Sequence, residues 1–283
     1  MSVIGADLGG TNFRAGRVDN GALVQSAAAA IDGGASMDKV LEELYRLIDQ
    51  AAVPGLEGIG VGCPSLVDLA EGVIYDTTNI PSWKEVPLKS LLEKRYSVPV
   101  RVDNDANCFA VGEKYFGKAK EFSSAVGLIM GTGLGSGLIL NDHLYSGRNC
   151  GAGEFGMLPY LNGNFEDYCS GRFFKSQGTS GKEMFALARS GDAAALALFE
   201  EFGGHVGELV KTILYALDPE LIVFGGSVSQ AHKFFFPAMK DAMSSFAFTR
   251  AVGRLRLEVS EIENIAILGA AALCYDSKAG GTL

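Results

Sequence analysis

Apolar residues fall along this chain in two rhythms, short continuous runs and helical repeats, which alternate from one end to the other. Val3-Ile4-Gly5-Ala6-Asp7-Leu8 is apolar but for Asp7, Gly9-Gly10-Thr11-Asn12 reads as a turn, and Phe13 to Val18 is extended again. From Met37 to Ala52, Val40, Leu41, Leu44, Leu47 and Ile48 recur at helical spacing. Gly58-Ile59-Gly60-Val61-Gly62 is a short buried strand running into Pro64. Val86 to Tyr96 reads as a helix, Val98 to Val102 as a strand ending at Asp103-Asn104-Asp105, and Ala106 to Tyr115 as a helix. The first ~110 residues thus have the order and size of one α/β lobe.

The second half opens the same way. Ser124 to Met130 is an apolar strand, Gly131-Thr132-Gly133-Leu134-Gly135-Ser136-Gly137 a glycine turn, and Leu138-Ile139-Leu140 extended. A strand, Gly-Thr turn, strand unit therefore occurs twice, the mark of an internal repeat. Helical stretches follow near Lys182 to Ala188 and Ala193 to Leu217, then the buried strand Leu221-Ile222-Val223-Phe224 ending in Gly225-Gly226-Ser227, and an apolar helix from Ile265 to Tyr275.

Composition sharpens this picture. A chain of 283 residues, 48% apolar and 20% charged, can bury the cores of two lobes. Its 37 glycines against 8 prolines indicate tight turns and close backbone approach rather than disorder. A net charge of −9 with no basic stretch argues against nucleic acid as a partner. The five cysteines (Cys63, Cys108, Cys150, Cys169 and Cys274) are odd in number and lack a C-x-x-C pair, which predicts reduced thiols. Residues 1–5 lack the pattern of a signal peptide, and no apolar run is long enough to span a bilayer, so a soluble cytoplasmic protein is expected.

The chemistry concentrates at turns. Glycines let a backbone approach an anionic oxygen, exposed N–H groups can cradle it, and Thr11 and Thr132 could add hydroxyl donors. Asp7, just before the first turn, is placed to hold Mg²⁺ through water. A dinucleotide fingerprint at Gly131-Thr132-Gly133 is disfavoured, because that motif must open a helix and here a strand follows. Asp103-Asn104-Asp105 stands at a strand end before a helix, where open α/β folds put ligands. One of the three can cap the helix, but the cluster is richer than a cap requires. A carboxylate there could accept the proton of an attacking hydroxyl. Glu154, in Gly151-Ala152-Gly153-Glu154-Phe155-Gly156, is an acid in an apolar, small-residue setting. Glu166-Asp167 reads as a helix N-terminus.

Taken together, Asp7-Leu8-Gly9-Gly10-Thr11-Asn12, Thr78-Asn79-Ile80-Pro81-Ser82-Trp83, Asp103-Asn104-Asp105-Ala106-Asn107, the Gly131–Gly137 turn, the Gly151–Gly156 segment, Glu166-Asp167-Tyr168-Cys169-Ser170-Gly171 and Asp218-Pro219-Glu220-Leu221-Ile222-Val223-Phe224-Gly225-Gly226 resemble the ROK family of bacterial sugar kinases, repressors and related proteins. The motifs occur in the family's order and span nearly the whole chain. The resemblance implies an α/β, actin-like ATPase (ribonuclease H-like) fold of two lobes with ATP and sugar in the cleft between them. The lobes expected are residues 1–107, with a C-terminal helix at 265–283 packing back on them, and residues 108–264. It further implies Asp105 as general base, Asn79, Asn104, Glu154 and Glu166 as sugar ligands, and Gly9, Gly10, Thr11, Thr132 and Gly133 as phosphate-loop positions. Gly225 and Gly226 fall on the adenosine side, and such kinases are often homodimers.

Two departures stand out. Where the family has a His that serves both sugar and zinc, this chain has Met157, which can do neither as imidazole does. A short Asn-Gly turn, Pro159-Tyr160-Leu161-Asn162-Gly163-Asn164, replaces the family's cysteine-rich zinc loop, so no zinc site is expected. His143 in a turn, His205 in a helix and His232 after the Gly225 strand do not replace the missing imidazole. The expected activity is ATP- and Mg²⁺-dependent phosphorylation of a hexose at its 6-hydroxyl, glucose first, with fructose, mannose or an N-acetylhexosamine open and polyphosphate an alternative donor. A catalytically inactive sugar-binding regulator is the competing reading. A DNA-binding repressor would need a helix-turn-helix before the first glycine turn, which here begins at Gly9.

Overall fold

A computed structural model describes residues 1–9, 12–77 and 79–281. The elements of the first part are β1 (Ser2–Leu8), β2 (Asn12–Asp19), β3 (Ala22–Ala30), α1 (Met37–Ala51), β4 (Ile59–Cys63), β5 (Leu66–Asp68), β6 (Val73–Tyr75), β7 (Glu85–Val86), α2 (Leu88–Tyr96), β8 (Val100–Asn104) and α3 (Asp105–Phe116). Then come β9 (Ala125–Met130), β10 (Leu134–Leu140), β11 (His143–Leu144), β12 (Pro159–Tyr160), β13 (Gly163–Asn164), α4 (Phe165–Cys169), α5 (Gly171–Ser176), α6 (Gly181–Arg189) and α7 (Ala193–Leu217). The chain continues through β14 (Leu221–Gly225), α8 (His232–Met243), α9 (Thr249–Arg254), β15 (Arg256–Val259) and α10 (Ile265–Lys278).

Two compact units result: Met1–Ser123 with Gly137–Ala152 and Glu261–Leu283, and Ser124–Ser136 with Gly153–Ser260. The first unit thus runs beyond residue 107 to take in α3. Its five-stranded sheet has the order β3-β2-β1-β4-β8, with β1, β2 and β3 antiparallel and β1, β4 and β8 parallel. A second sheet is ordered β11-β10-β9-β14-β15, again with its first three strands at one side and the crossover strands at the other. The duplicated strand, turn, strand unit seen in the sequence is therefore a duplicated sheet topology, that of the actin-like ATPase fold.

Side-chain alternation sorts the first sheet's faces. Ile4, Ala6 and Leu8 of β1 join Phe13, Ala15 and the α1 residues Val40, Leu44, Leu47 and Ile48 in one core, which also holds Trp83. Val3 and Val18 turn the other way, onto Leu268, Ala271 and Cys274 of α10. Contact on that side is unusually close. A Cβ at Gly5 would meet the Ile267 carbonyl, one at Gly60 the Ala270 carbonyl, and one at Gly269 the Cys108 carbonyl of α3. Three glycines thus seat α10 directly on backbone, which no larger residue permits.

The second unit centres on α7, capped by Asp192, whose side chain accepts from the Ala195 N–H at 2.8 Å. Gly203 and Gly207, one turn apart, face the Phe235 and Met239 carbonyls of α8. Phe173, Phe174, Phe199, Phe202 and Phe235 are buried around them. Pro159–Asn164 forms the β12–β13 hairpin, with Leu161 at φ 50° in its two-residue loop. His143, expected in a turn, lies in β11 and pairs with buried Asp276 at 3.1 Å. Among the described residues, no helix is long and apolar enough to cross a membrane.

Candidate active site

In the first unit the parallel register aligns the functional positions. Asp7 pairs with Gly62 and Gly62 with Asp103, so both aspartates stand at one level, two strand steps or roughly 10 Å apart. Gly62 leaves room for α3: a Cβ there would lie 2.9 Å from the Cys108 Sγ. Burial pushes the Cys108 thiol well up, and the charges of Asp103, Cys63, Asp105 and Asp7 add to this. Gly9 belongs to the same corner, where a Cβ would sit 2.9 Å from the Asn12 carbonyl oxygen. Gly10 and Thr11 lie outside the described residues.

Asn104 is the residue that caps α3, its Oδ1 accepting from the Ala106 N–H at 2.8 Å. Asp105 follows as the first helical residue and is exposed, with Oδ1 also 2.9 Å from the Ala106 nitrogen. Asp103 is fully buried and acts as an acceptor hub. It takes hydrogen bonds from the Asn104 N–H at 2.7 Å, Asn107 Nδ2 at 2.7 Å, Ser146 Oγ at 2.7 Å and Cys150 Sγ at 3.1 Å. Burial raises its carboxyl above the usual range, while these four donors pull the other way. Cys150 is held at φ 58°, a left-handed conformation that its bond to Asp103 helps to maintain. The links of Ser146 and Cys150 to Asp103 are not legible in the sequence, because both residues lie more than 40 positions away and carry no motif of their own. Asn79 is exposed in the turn after β6, its carbonyl 2.7 Å from where a Gly33 Cβ would stand. Asp7 is partly buried, which raises its pKa, with Arg14 opposing the rise.

In the second unit the Gly131–Leu134 turn is stitched to the α4–α5 junction. The Gly171 N–H donates to the Gly131 carbonyl at 2.7 Å and Ser170 Oγ to the Thr132 carbonyl at 3.3 Å. Glu166 completes the seam: its Oε2 accepts the Leu134 N–H at 2.9 Å, and its Oε1 lies 2.6 Å from Arg172 Nη2. A Cβ at Gly133 would fall on that Oε2, so a larger residue there would have to push Glu166 from this bond. α4 is started by a reciprocal box in which Asn164 accepts the Asp167 N–H and Asp167 accepts the Asn164 N–H, as the acidic pair at 166–167 suggested. Glu154 is exposed, yet partial burial of its carboxyl raises the pKa and the nearby Glu166 charge adds to it. Met157 is 61% exposed.

Beside this seam lies a cavity of about 650 Å³. Gly131 and Thr132 form one wall, Phe174, Phe185, Phe199 and Val228 an apolar floor, and Arg172, Lys175 and Lys182 are its charged lining residues. No carboxylate stands among the described residues lining it. Such a volume, lined by aromatic rings, three cations and the glycine turn, suits a flat aromatic base joined to phosphates. Gly225 and Gly226 are not on its surface. Gly226, at φ 84°, sits against the Met130 backbone and turns the chain so that Ser227 and Val228 reach the cavity.

A sequence model of the ROK family matches residues 3–277. The N-acetyl-D-glucosamine kinase of Escherichia coli is 32% identical, over 83% of this chain and 85% of that protein. The glucokinase of Thermotoga maritima is 27% identical over 99% of both. Among solved structures, a ROK family glucokinase from Streptomyces griseus in complex with glucose and AMPPNP superposes with a TM-score of 0.80, at 26% identity, over 96% of this chain and 99% of that one.

Proposed function

Since this chain belongs to the ROK family, we propose that it is an ATP-dependent sugar kinase that phosphorylates a hexose at its 6-hydroxyl, with Asp105 as general base. The observation that carries this reading is the exposed Asp105 carboxylate at the head of α3, next to the Asn104 cap, whose backbone N–H is held by the buried Asp103 carboxylate. Asp105 accepts the proton of the attacking hydroxyl as its oxygen bonds to the γ-phosphorus in line, the bond from that phosphorus to the β,γ-bridging oxygen breaks, and ADP leaves. Asn79, Asn104, Glu154 and Glu166 are assigned to sugar hydroxyls. Asn104 Oδ1 already serves the helix, which leaves its amide to act as donor, and Glu166 reaches the sugar from a carboxylate shared with Leu134 and Arg172. The Gly131–Gly133 turn and Thr132 hold donor phosphates, and the aromatic cavity holds the base.

Asp7 fits a divalent cation, because burial disfavours its charge by more than Arg14 offsets and a cation would make up the difference. Mg²⁺ held near Asp7 would supply charge neutralisation for the phosphates. The similarity to both a glucokinase and an N-acetyl-D-glucosamine kinase makes glucose and N-acetylglucosamine the first substrates to try.

The test is a coupled ADP-release assay with Mg-ATP across hexoses and amino sugars, run beside Asp105→Asn. One sugar should turn over, and the variant should lose about 10²–10⁴ in kcat with KM for sugar little changed. Sugar binding without turnover by the wild-type protein would point to the regulatory reading instead.

A further inference from the structure

Arg172 belongs to two neighbourhoods at once. It lines the same cavity as Gly131 and Thr132, where an anionic donor is assigned, and its guanidinium clasps Glu166 Oε1 at 2.6 Å, with a longer reach of 3.5 Å to Asp167. Its side chain is 51% exposed while Glu166 is 15% exposed, so the cation is the movable partner and the carboxylate the fixed one. Glu166 is fixed because its second oxygen accepts the Leu134 N–H, at the end of the turn that lines the same cavity. A planar fork of five N–H donors can address two anions in a way that a point-charge ammonium cannot.

We propose that Arg172 is a positioning residue that couples the donor cavity to the sugar carboxylate Glu166, so that donor binding strengthens sugar binding. This rests on the kinase reading of the site. Phosphate oxygens at the glycine turn draw charge-assisted hydrogen bonds from the guanidinium. Each one taken weakens the clasp on Oε1, and the released oxygen becomes an acceptor for a sugar hydroxyl. Because linkage is reciprocal, sugar held on Glu166 turns Arg172 toward the donor by the same factor. Lys175 and Lys182 line the cavity too, but neither is paired with Glu166, so they attract the donor without relaying its presence.

Calorimetric titration of glucose and of N-acetylglucosamine, with and without saturating Mg²⁺ and AMPPNP, reads this linkage from binding alone. In the wild-type protein the nucleotide analogue should tighten sugar binding about ten-fold. In Arg172→Ala that ratio should fall to about one, and Arg172→Lys should lie between. Arg172→Gln keeps the stem and removes the charge, and stands in if the alanine variant unfolds. An unaltered ratio in the alanine and glutamine variants, or no ratio in the wild type, overturns the proposal. Phosphorylation in the same preparations separates the two readings. Turnover with unchanged linkage in the variants sinks this inference alone, whereas neither sugar binding nor turnover by the wild type sinks the functional reading and this one with it.

Discussion

Asp103 shows what a carboxylate does when it is buried behind the chemistry rather than exposed to it. Four donors converge on it, and two of them, Ser146 and Cys150, belong to a loop that has no other sequence reason to lie there. Asp103→Ala would leave buried donors unpaired and should destabilise the protein by about 3 kcal/mol, measured by urea unfolding. The pH dependence has a definite sign. Burial raises the native pKa above 3.8, so between 3.8 and the raised value the native state holds more protons than the unfolded chain. This group's stabilising contribution is therefore greatest at low pH and is lost as pH rises through that interval. Asp103→Asn should lack this dependence. Glu154 is the functional counterpart: its pKa lies above 4.5, raised by burial and then by Glu166. Affinity for sugar should fall with acid at a higher pH than an ordinary glutamate allows, and Glu154→Gln should remove that limb from a plot of 1/KM against pH. Sequence reading brought out Asp103, Asn104 and Asp105 as a cluster but could not divide the work among them. Only packing decides that the first is buried, the second caps the helix and the third faces solvent.

At the scale of elements, pattern and structure agree wherever one face of a helix or a whole strand is buried. The spacing of Val40, Leu41, Leu44, Leu47 and Ile48 predicts a helix at Met37 to Ala52, and α1 spans Met37–Ala51. α7 occupies the predicted Ala193 to Leu217. Boundaries shift where local chemistry competes. The helix expected from Val86 starts at Leu88 because Glu85–Val86 is taken up as β7, and the strand expected from Val98 starts at Val100 after Ser97 ends α2 in a left-handed turn. The small β5-β6-β7 sheet and β15 carry too few residues to show a period, and α8 is masked by Pro237 within it. The close seat of α10 is equally invisible in one dimension, since Gly5, Gly60 and Gly269 look like any other glycines until a carbonyl lies on each. Gly60→Ala should force α10 off the Ala270 carbonyl and cost about 1–3 kcal/mol, seen as a lowered thermal midpoint, whereas Gly55→Ala acts through its φ of 83° alone because its Cβ would meet open space.

For the whole molecule, the duplicated topology was legible because both copies open with an apolar strand and a Gly-Thr turn, and the family's motifs appear in order from residue 7 to residue 226. The aromatic cavity was not, because its floor is gathered from α5, α6 and α7 and the turn after β14, and each phenylalanine alone reads as core. Cysteine chemistry joins the two scales. All five thiols are buried and free, and burial raises every one of their pKa values, Cys274 to about 12. Thiolate is the reactive form, so a disulfide reagent should titrate essentially none of them in the native protein and all five in denaturant. Rapid labelling of one thiol under native conditions would show that a unit opens locally.

The first unit is assembled from three separated stretches of chain, the last of them carrying α10. During synthesis the β1 and β4 backbones that α10 covers leave the ribosome some 200 residues before their cover does. The stretch Gly153–Ser260 of the second unit is complete first, while the first unit stays open on one sheet face. A nascent chain that has emerged as far as residue 260 has every stretch of its second unit free to fold while its first unit still shows bare glycine backbone, a ready client for chaperones.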